Sequence, residues 1–145
     1  MYIFTDGSCI GKTTKRAKWA VIIYDNDENE IESFSEELFD KITNQRAELI
    51  ALKFAIEKAS SGDIIYSDSL YSIKCVKDWS NNWQNNGWLT ANKKDVKHRD
   101  LIEPMINEYK NKEIQLVHIR GHQKGDSFIT RGNNAADKLA TTFLI

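Results

Sequence analysis

Apolar and polar residues alternate through the first third of the chain, and the period then changes. Alternation predicts strands at about 1–6, at 17–24, where Trp19, Val21 and Ile23 share one face, and at 30–37, together an antiparallel meander. From Asn44, in "NQRAELIALKFAIEKA", Leu49, Leu52, Ile56 and Ala59 recur at helical spacing while Lys53 and Glu57 point away. That predicts an amphipathic helix capped at Thr43 or Asn44. "DIIYSD" (63–68) reads as a short buried strand after Gly62, and 69–79 as a second helix, so the later elements imply parallel crossovers. A helix at 99–110 with Pro104 in its first turn, a strand at 114–119 and a Gly-rich loop follow. The last helix is expected from about Asn133 to Leu144, with Ala136, Leu139, Ala140 and Phe143 inward.

The stretch 79–98, "WSNNWQNNGWLTANKKDVKH", breaks this pattern, carrying three of the four tryptophans among Asn, Gln and Lys, too few apolar residues for a core. The 145 residues, 41% hydrophobic and 28% charged, fit one globular domain. A net charge of −1 gives no global sign of a nucleic-acid partner, but the charge is segregated. Six Lys or Arg stand against two Asp between Lys74 and Arg99, whereas 25–40 is dominated by Asp and Glu. Cys9 and Cys75 have neither CxxC nor zinc spacing and are expected as free thiols. With no leader pattern and no run of about 18 apolar residues, a cytoplasmic chain without membrane contact is expected.

The chemistry begins at "TDGS" (5–8), where Asp6 closes the run "MYIFTD" and shares a face with Tyr2 and Phe4. Alone, this is an Asx-turn. Asp68, however, ends the buried strand "IIYSD" in the same way, at what a parallel pairing makes the same edge of the sheet. Glu48 lies in the first turn of its helix, aligned with Leu52 and Ala55, and Asp137 is expected in the first turn of the last helix, aligned with Ala140 and Leu144. Each has an ordinary reading as a turn residue or a helix-dipole complement. Together, converging carboxylates repel unless a cation joins them, and an all-oxygen set selects Mg²⁺ or Mn²⁺ over zinc. Such a set implies phosphoryl transfer or hydrolysis with two metals about 4 Å apart.

In "YIFTDGSC", "TNQRAEL", "YSDSLYSI", "GWLTANKKDVKHRDL", "HIRGHQKGD" and "GNNAADKLA" the chain resembles type 1 ribonuclease H, the bacterial-type enzyme that cuts RNA in RNA–DNA hybrids, over nearly its whole length. The resemblance implies an α/β RNase H-like fold: a mixed five-stranded sheet flanked by helices, with residues 79–98 as a basic helical protrusion. It implies Asp6, Glu48, Asp68 and Asp137 as ligands of two Mg²⁺ ions, His122 assisting proton and product traffic, and products with 5′-phosphate and 3′-hydroxyl ends. "TNQR" resembles a phosphate-gripping stretch, giving Thr43, Asn44 and Arg46 contacts to the DNA strand, although Arg46 reads equally as a solvated helix residue. Selection of RNA would come from 2′-hydroxyl contacts of backbone groups around Cys9, Asn44 and Gln45.

In the protrusion, Trp88 with Lys93, Lys94, Lys97 and Arg99 is expected to face substrate, while Trp79 and Trp83, four apart, read as packing against each other. Three departures from the family pattern stand out. A basic loop, with Lys12, Lys15, Arg16 and Lys18 as further phosphate contacts, replaces a Gly/Pro-rich turn; Ile102 stands where Trp is frequent, and Asn134 where an acid is common. None replaces a metal ligand, so activity is expected to survive. The competing readings are a junction-resolving or strand-transferring nuclease on the same fold, and a non-catalytic hybrid-binding module; a monomer acting on a hybrid is expected.

Overall fold

The computed structural model describes residues 1–144. Strands β1 (Tyr2–Ile10), β2 (Arg16–Tyr24) and β3 (Glu30–Glu37) form the antiparallel meander, followed by helix α1 (Asn44–Lys58) and strand β4 (Ile64–Ser67). Helices α2 (Leu70–Lys77), α3 (Ser80–Asn85) and α4 (Arg99–Asn111) lead to strand β5 (Gln115–His118) and helix α5 (Phe128–Thr141). The sheet runs β3-β2-β1-β4-β5, with β1 parallel to β4 and β4 parallel to β5. The fold is therefore the mixed five-stranded α/β arrangement implied by the resemblance.

The central strand is apolar toward both layers, since Ile3 packs with α1 and α4 in the larger core while Phe4 packs beneath α5 in the smaller one. Trp19, Val21 and Ile23 share the larger core with Leu49, Leu52, Ile56 and Met105, as the two periods in the sequence require. Thr43 caps α1, its Oγ1 accepting the Arg46 N–H at 3.1 Å. At the outer edge β3 carries Glu30, Glu32, Glu36 and Glu37 beside a row of backbone groups with no further strand among the described residues.

Three boundaries differ from expectation. β1 does not stop at Asp6 but pairs with β2 as far as Ile10, because the β1–β2 ribbon outruns β4, whose pairing ends at Thr5↔Ser67. Helix α5 starts at Phe128, where Ser127 Oγ accepts the Thr130 N–H at 3.2 Å, and runs through Gly132. That glycine reads as a loop residue, yet the helix needs it: any Cβ there would collide with the Phe4 ring. Asp137 accordingly lies well inside the helix, beyond reach of its N-terminal dipole, and the helix stops at Thr141, before Phe143. Pro104 is the third discrepancy, being the sixth residue of α4 rather than in its first turn. The carbonyl it leaves unmatched, that of Asp100, is on the exposed first turn, so the helix tolerates it.

Candidate active site

Parallel pairing of β1 with β4 ends at Thr5↔Ser67, and the next residue on each strand is an aspartate. Asp6 and Asp68 thus stand side by side at the carboxyl edge of the sheet, where the strands of open α/β folds present ligand sites. Glu48 reaches them from the start of the second turn of α1 rather than from the first turn the sequence predicts, since the helix begins at Asn44. Gly7 lets that helix approach β1 so closely that a Cβ would collide with the backbone of Ala47 and Glu48. The Gly7 N–H, in turn, donates to Asp6 Oδ1 at 2.9 Å and to Glu48 Oε1 at 3.1 Å.

Oxygens of Asp6, Glu48 and Asp68 all lie within 4.8 Å of one another. Asp6 is 4% and Glu48 6% exposed. Burial raises the pKa of Asp6, an effect partly offset by its contact with Glu48, and leaves it at about 7. Glu48 is pushed up further, to about 10, by burial and then by the Asp6 charge. Asp68 is also raised, first by burial and then by Asp137, while His122 and a hydrogen bond with Asn133 oppose the shift. Among the described residues, Glu48 Oε2 is the one buried side-chain polar atom without a hydrogen-bond partner. An acceptor facing carboxylate oxygens is reconciled only by a proton or a cation, so this oxygen set fits a hard divalent ion.

Asp137 does not belong to that tight triad. It lines the same open cleft of about 590 Å³ from α5, together with Cys9, Asn44, Ser69 and His122. His122 is exposed, with φ 54 in the left-handed region that His tolerates better than most residues.

The sequence matches the RNase H family over residues 1–144. The chain belongs to the RNase H family. It is 33% identical over 142 residues to a protein named Ribonuclease H from Acetivibrio thermocellus, covering 96% of this chain and 90% of that one. A Ribonuclease H of Syntrophomonas wolfei is 36% identical over 142 residues, covering 95% and 91%. Among solved structures, the foamy viral protease-reverse transcriptase in complex with RNA/DNA hybrid superposes with TM-score 0.85 at 29% identity, covering 97% of this chain and 19% of that one. RNase H enzymes depend on divalent metals, in keeping with the buried acidic triad.

Outside the cleft, the RNase H chain uses several expected substrate residues differently. Trp88 is a correction: it is 5% exposed, with Trp83 at 6.1 Å between ring centroids and the Arg99 guanidinium 5.1 Å over its ring, so its faces are not free to stack on a nucleotide. The ring that emerges is Trp79, packed on Trp83 at 5.7 Å but still 36% exposed. It lines a hollow of about 630 Å³ with Asn82, Asn86 and Thr90. Gln45, Lys94 and Lys97 border one groove, and Lys93, Lys94 and Lys97 are all exposed. Arg16 is bidentate to Glu37 and Lys18 donates to the Thr142 carbonyl, so both bind the chain's own surface rather than standing free for phosphate.

Arg46 is neither solvated nor open. Its side chain is buried and bidentate to Asp100, with Nη1–Oδ1 at 3.1 Å and Nη2–Oδ2 at 2.5 Å, and Nη1 lies 3.3 Å from His98 Nδ1. Asp100→Ala leaves this guanidinium unmatched. Because Asp100 is itself half-exposed, the cost is about 1–2 kcal/mol, below that of a fully buried pair, and urea denaturation monitored by circular dichroism reads it. An unchanged midpoint would make the pair energetically idle.

Two contributors escaped the sequence. Gly7 was read as turn chemistry, whereas its N–H joins two of the acids. Asn133, buried on α5, bears on Asp68 from four residues before Asp137; the expected helix already sets the two on one face, but an uncharged amide beside Asn134 carries no signal that singles it out.

Proposed function

We propose that residues 1–145 form one RNase H domain that hydrolyses the RNA strand of RNA–DNA hybrids and leaves 5′-phosphate and 3′-hydroxyl ends. The hydrolase activity rests on the family match, and the alternative nucleases and the binding module are not favoured. The observation that carries the chemical reading is the triad of Asp6, Glu48 and Asp68, with one buried oxygen lacking any donor. These acids and Asp137 would hold two Mg²⁺ ions in the presence of substrate, with Mn²⁺ as the alternative. Bound there, such ions supply an activated water and neutralise charge on the leaving oxygen.

The chain's own groups do the rest. Asp6 and Glu48, fixed by the Gly7 N–H, present their oxygens at a defined place, and Asp68 extends the set across the parallel strand pair. Exposed His122 at the rim accepts and returns protons as product leaves. Asn44 and backbone groups around Cys9 and Gln45 meet the 2′-hydroxyls that mark RNA, Thr43 faces the DNA strand beside its cap bond, and the protrusion lysines meet phosphates. No helix among the described residues is long and apolar enough to cross a membrane. A cytoplasmic monomer is the expected working form.

Labelled hybrid, double-stranded RNA, double-stranded DNA and a four-way junction, each incubated with Mg²⁺, test the reading. Cutting confined to hybrid supports it; cutting of the junction alone, or binding without cutting, overturns it. Replacing Lys93, Lys94 and Lys97 together by Ala weakens hybrid affinity and flattens the log–log salt slope by about one unit per lost phosphate contact, with turnover at saturation retained. Equal affinity at every salt concentration would remove the protrusion from substrate binding.

A further inference from the structure

We propose that Gly121 and Asn133 are positioning residues for Asp68, the empty space at one and the buried amide of the other together fixing where that carboxylate stands. The inference rests on the metal-dependent reading above. The loop after β5 passes directly over Asp68: a Cβ at 121 would lie 2.9 Å from Asp68 Oδ2, 3.5 Å from its Cγ and 3.6 Å from its Cβ. The first distance is well inside the roughly 3.5 Å optimum for non-bonded heavy atoms.

Gly121 is not required by its backbone. The glycines with positive φ are Gly11, Gly62, Gly87 and Gly125, so at 121 the demand is for room. What an added methyl would meet is the free end of a side chain, not main chain. Rotation about the Asp68 side-chain torsions relieves the contact at little cost to the fold, and the carboxylate leaves its place.

On the other side stands Asn133, 3% exposed on α5, whose carboxamide favours the charged form of the same carboxylate and so opposes the upward shift of its pKa. Asn133 and Asp137 are four apart on one helical face, so the helix that brings Asp137 to the cleft also brings the group that holds Asp68. Gly121 is likewise joined in sequence to His122, at the cleft rim. Asp68 is only half-buried and follows its strand, so packing alone does not lock it as it locks Asp6 within β1. The two contacts supply that constraint, and outer contacts of this kind typically set ligand affinity by about 10–100-fold.

Mg²⁺ titration of the free protein by calorimetry, with thermal denaturation alongside, tests this in Gly121→Ala, Asn133→Ala, Asp68→Asn and Gly121→Ala/Asp68→Asn, with Lys124→Ala as a control in the same loop. Gly121→Ala is expected to melt within about 3 °C of wild type and to bind Mg²⁺ roughly 10-fold more weakly, with Asn133→Ala weakened in the same direction. On the Asp68→Asn background the Gly121 change is expected to do nothing further, because its effect runs through the missing carboxylate. Wild-type Mg²⁺ affinity in well-folded Gly121→Ala, or an equal loss on the Asp68→Asn background, overturns the proposal. Should Gly121→Ala unfold, Asn133→Ala decides: retained affinity there overturns it, and a loss that vanishes when combined with Asp68→Asn supports it. A wild-type protein that binds Mg²⁺ in this pattern yet leaves hybrid uncut would refute the hydrolase reading while leaving the positioning roles standing.

Discussion

Asp6→Asn lowers hybrid cleavage by roughly 10³-fold or more, since one ligand charge is worth several kcal/mol of transition-state stabilisation at a metal-assisted centre. The same change makes the metal-free protein more stable at pH 8. Asn retains an oxygen for the Gly7 N–H but removes a charge crowded against Glu48 and Asp68. The sign follows from linkage. Asp6 has a folded pKa of about 7 against an ordinary value of 3.8, and Glu48 about 10 against 4.5. For acids raised in this way the penalty is absent while both states are protonated, grows as pH rises past the unfolded value, and is complete above the folded value. Wild type without metal therefore loses stability from pH 5 to pH 9, on the order of a few kcal/mol, and regains it with Mg²⁺. Melting curves of both proteins at pH 5, 8 and 9, with Mg²⁺ or EDTA, check this. A metal-free Asp6→Asn that melts below wild type at pH 8 contradicts the account of the site.

The largest stability effect is expected at Phe4. Its ring is fully buried, stacked on Tyr66 at 4.9 Å and edge-on to Tyr24 and Phe128 at 5.5 Å each. Phe4→Ala opens a void beneath α5 and costs about 3–5 kcal/mol, seen as a melting point about 10–15 °C lower. Phe4→Leu keeps most of the volume and costs less than about 1.5 kcal/mol. The Ala variant also loosens the support of the helix carrying Asn133 and Asp137, so hybrid cleavage falls with temperature well before the remaining strands unfold. Comparable melting points for Ala and wild type would mean that α5 is held elsewhere.

The strands, the first helix and the three clustered acids were legible in the sequence for the same reason: periodicity reports which side chains are inward, and a charged residue on an inward face is conspicuous, whereas the sheet as a whole came from the family resemblance. The change of period at Asn44 placed α1 to within a residue at each end, and the buried run before Asp68 placed β4. Failures arose where tertiary contact overrides local chemistry. Asp-Gly-Ser is turn-like in isolation, but β2 continues to pair with it. Gly132 and Pro104 read as interruptions, yet one is demanded by the Phe4 ring and the other sits where its lost hydrogen bond faces water. Trp88 and Arg46 were misjudged because composition counts aromatics and cations without showing which are already occupied, here by Arg99 and Asp100.

The glutamates along β3 bear on behaviour at high protein concentration. An unpaired strand edge invites another polypeptide to extend the sheet, and two copies meeting rim to rim here would bring like charges together. Self-association through that border is thereby opposed, more effectively in dilute buffer than in strong salt, where ions mask the repulsion.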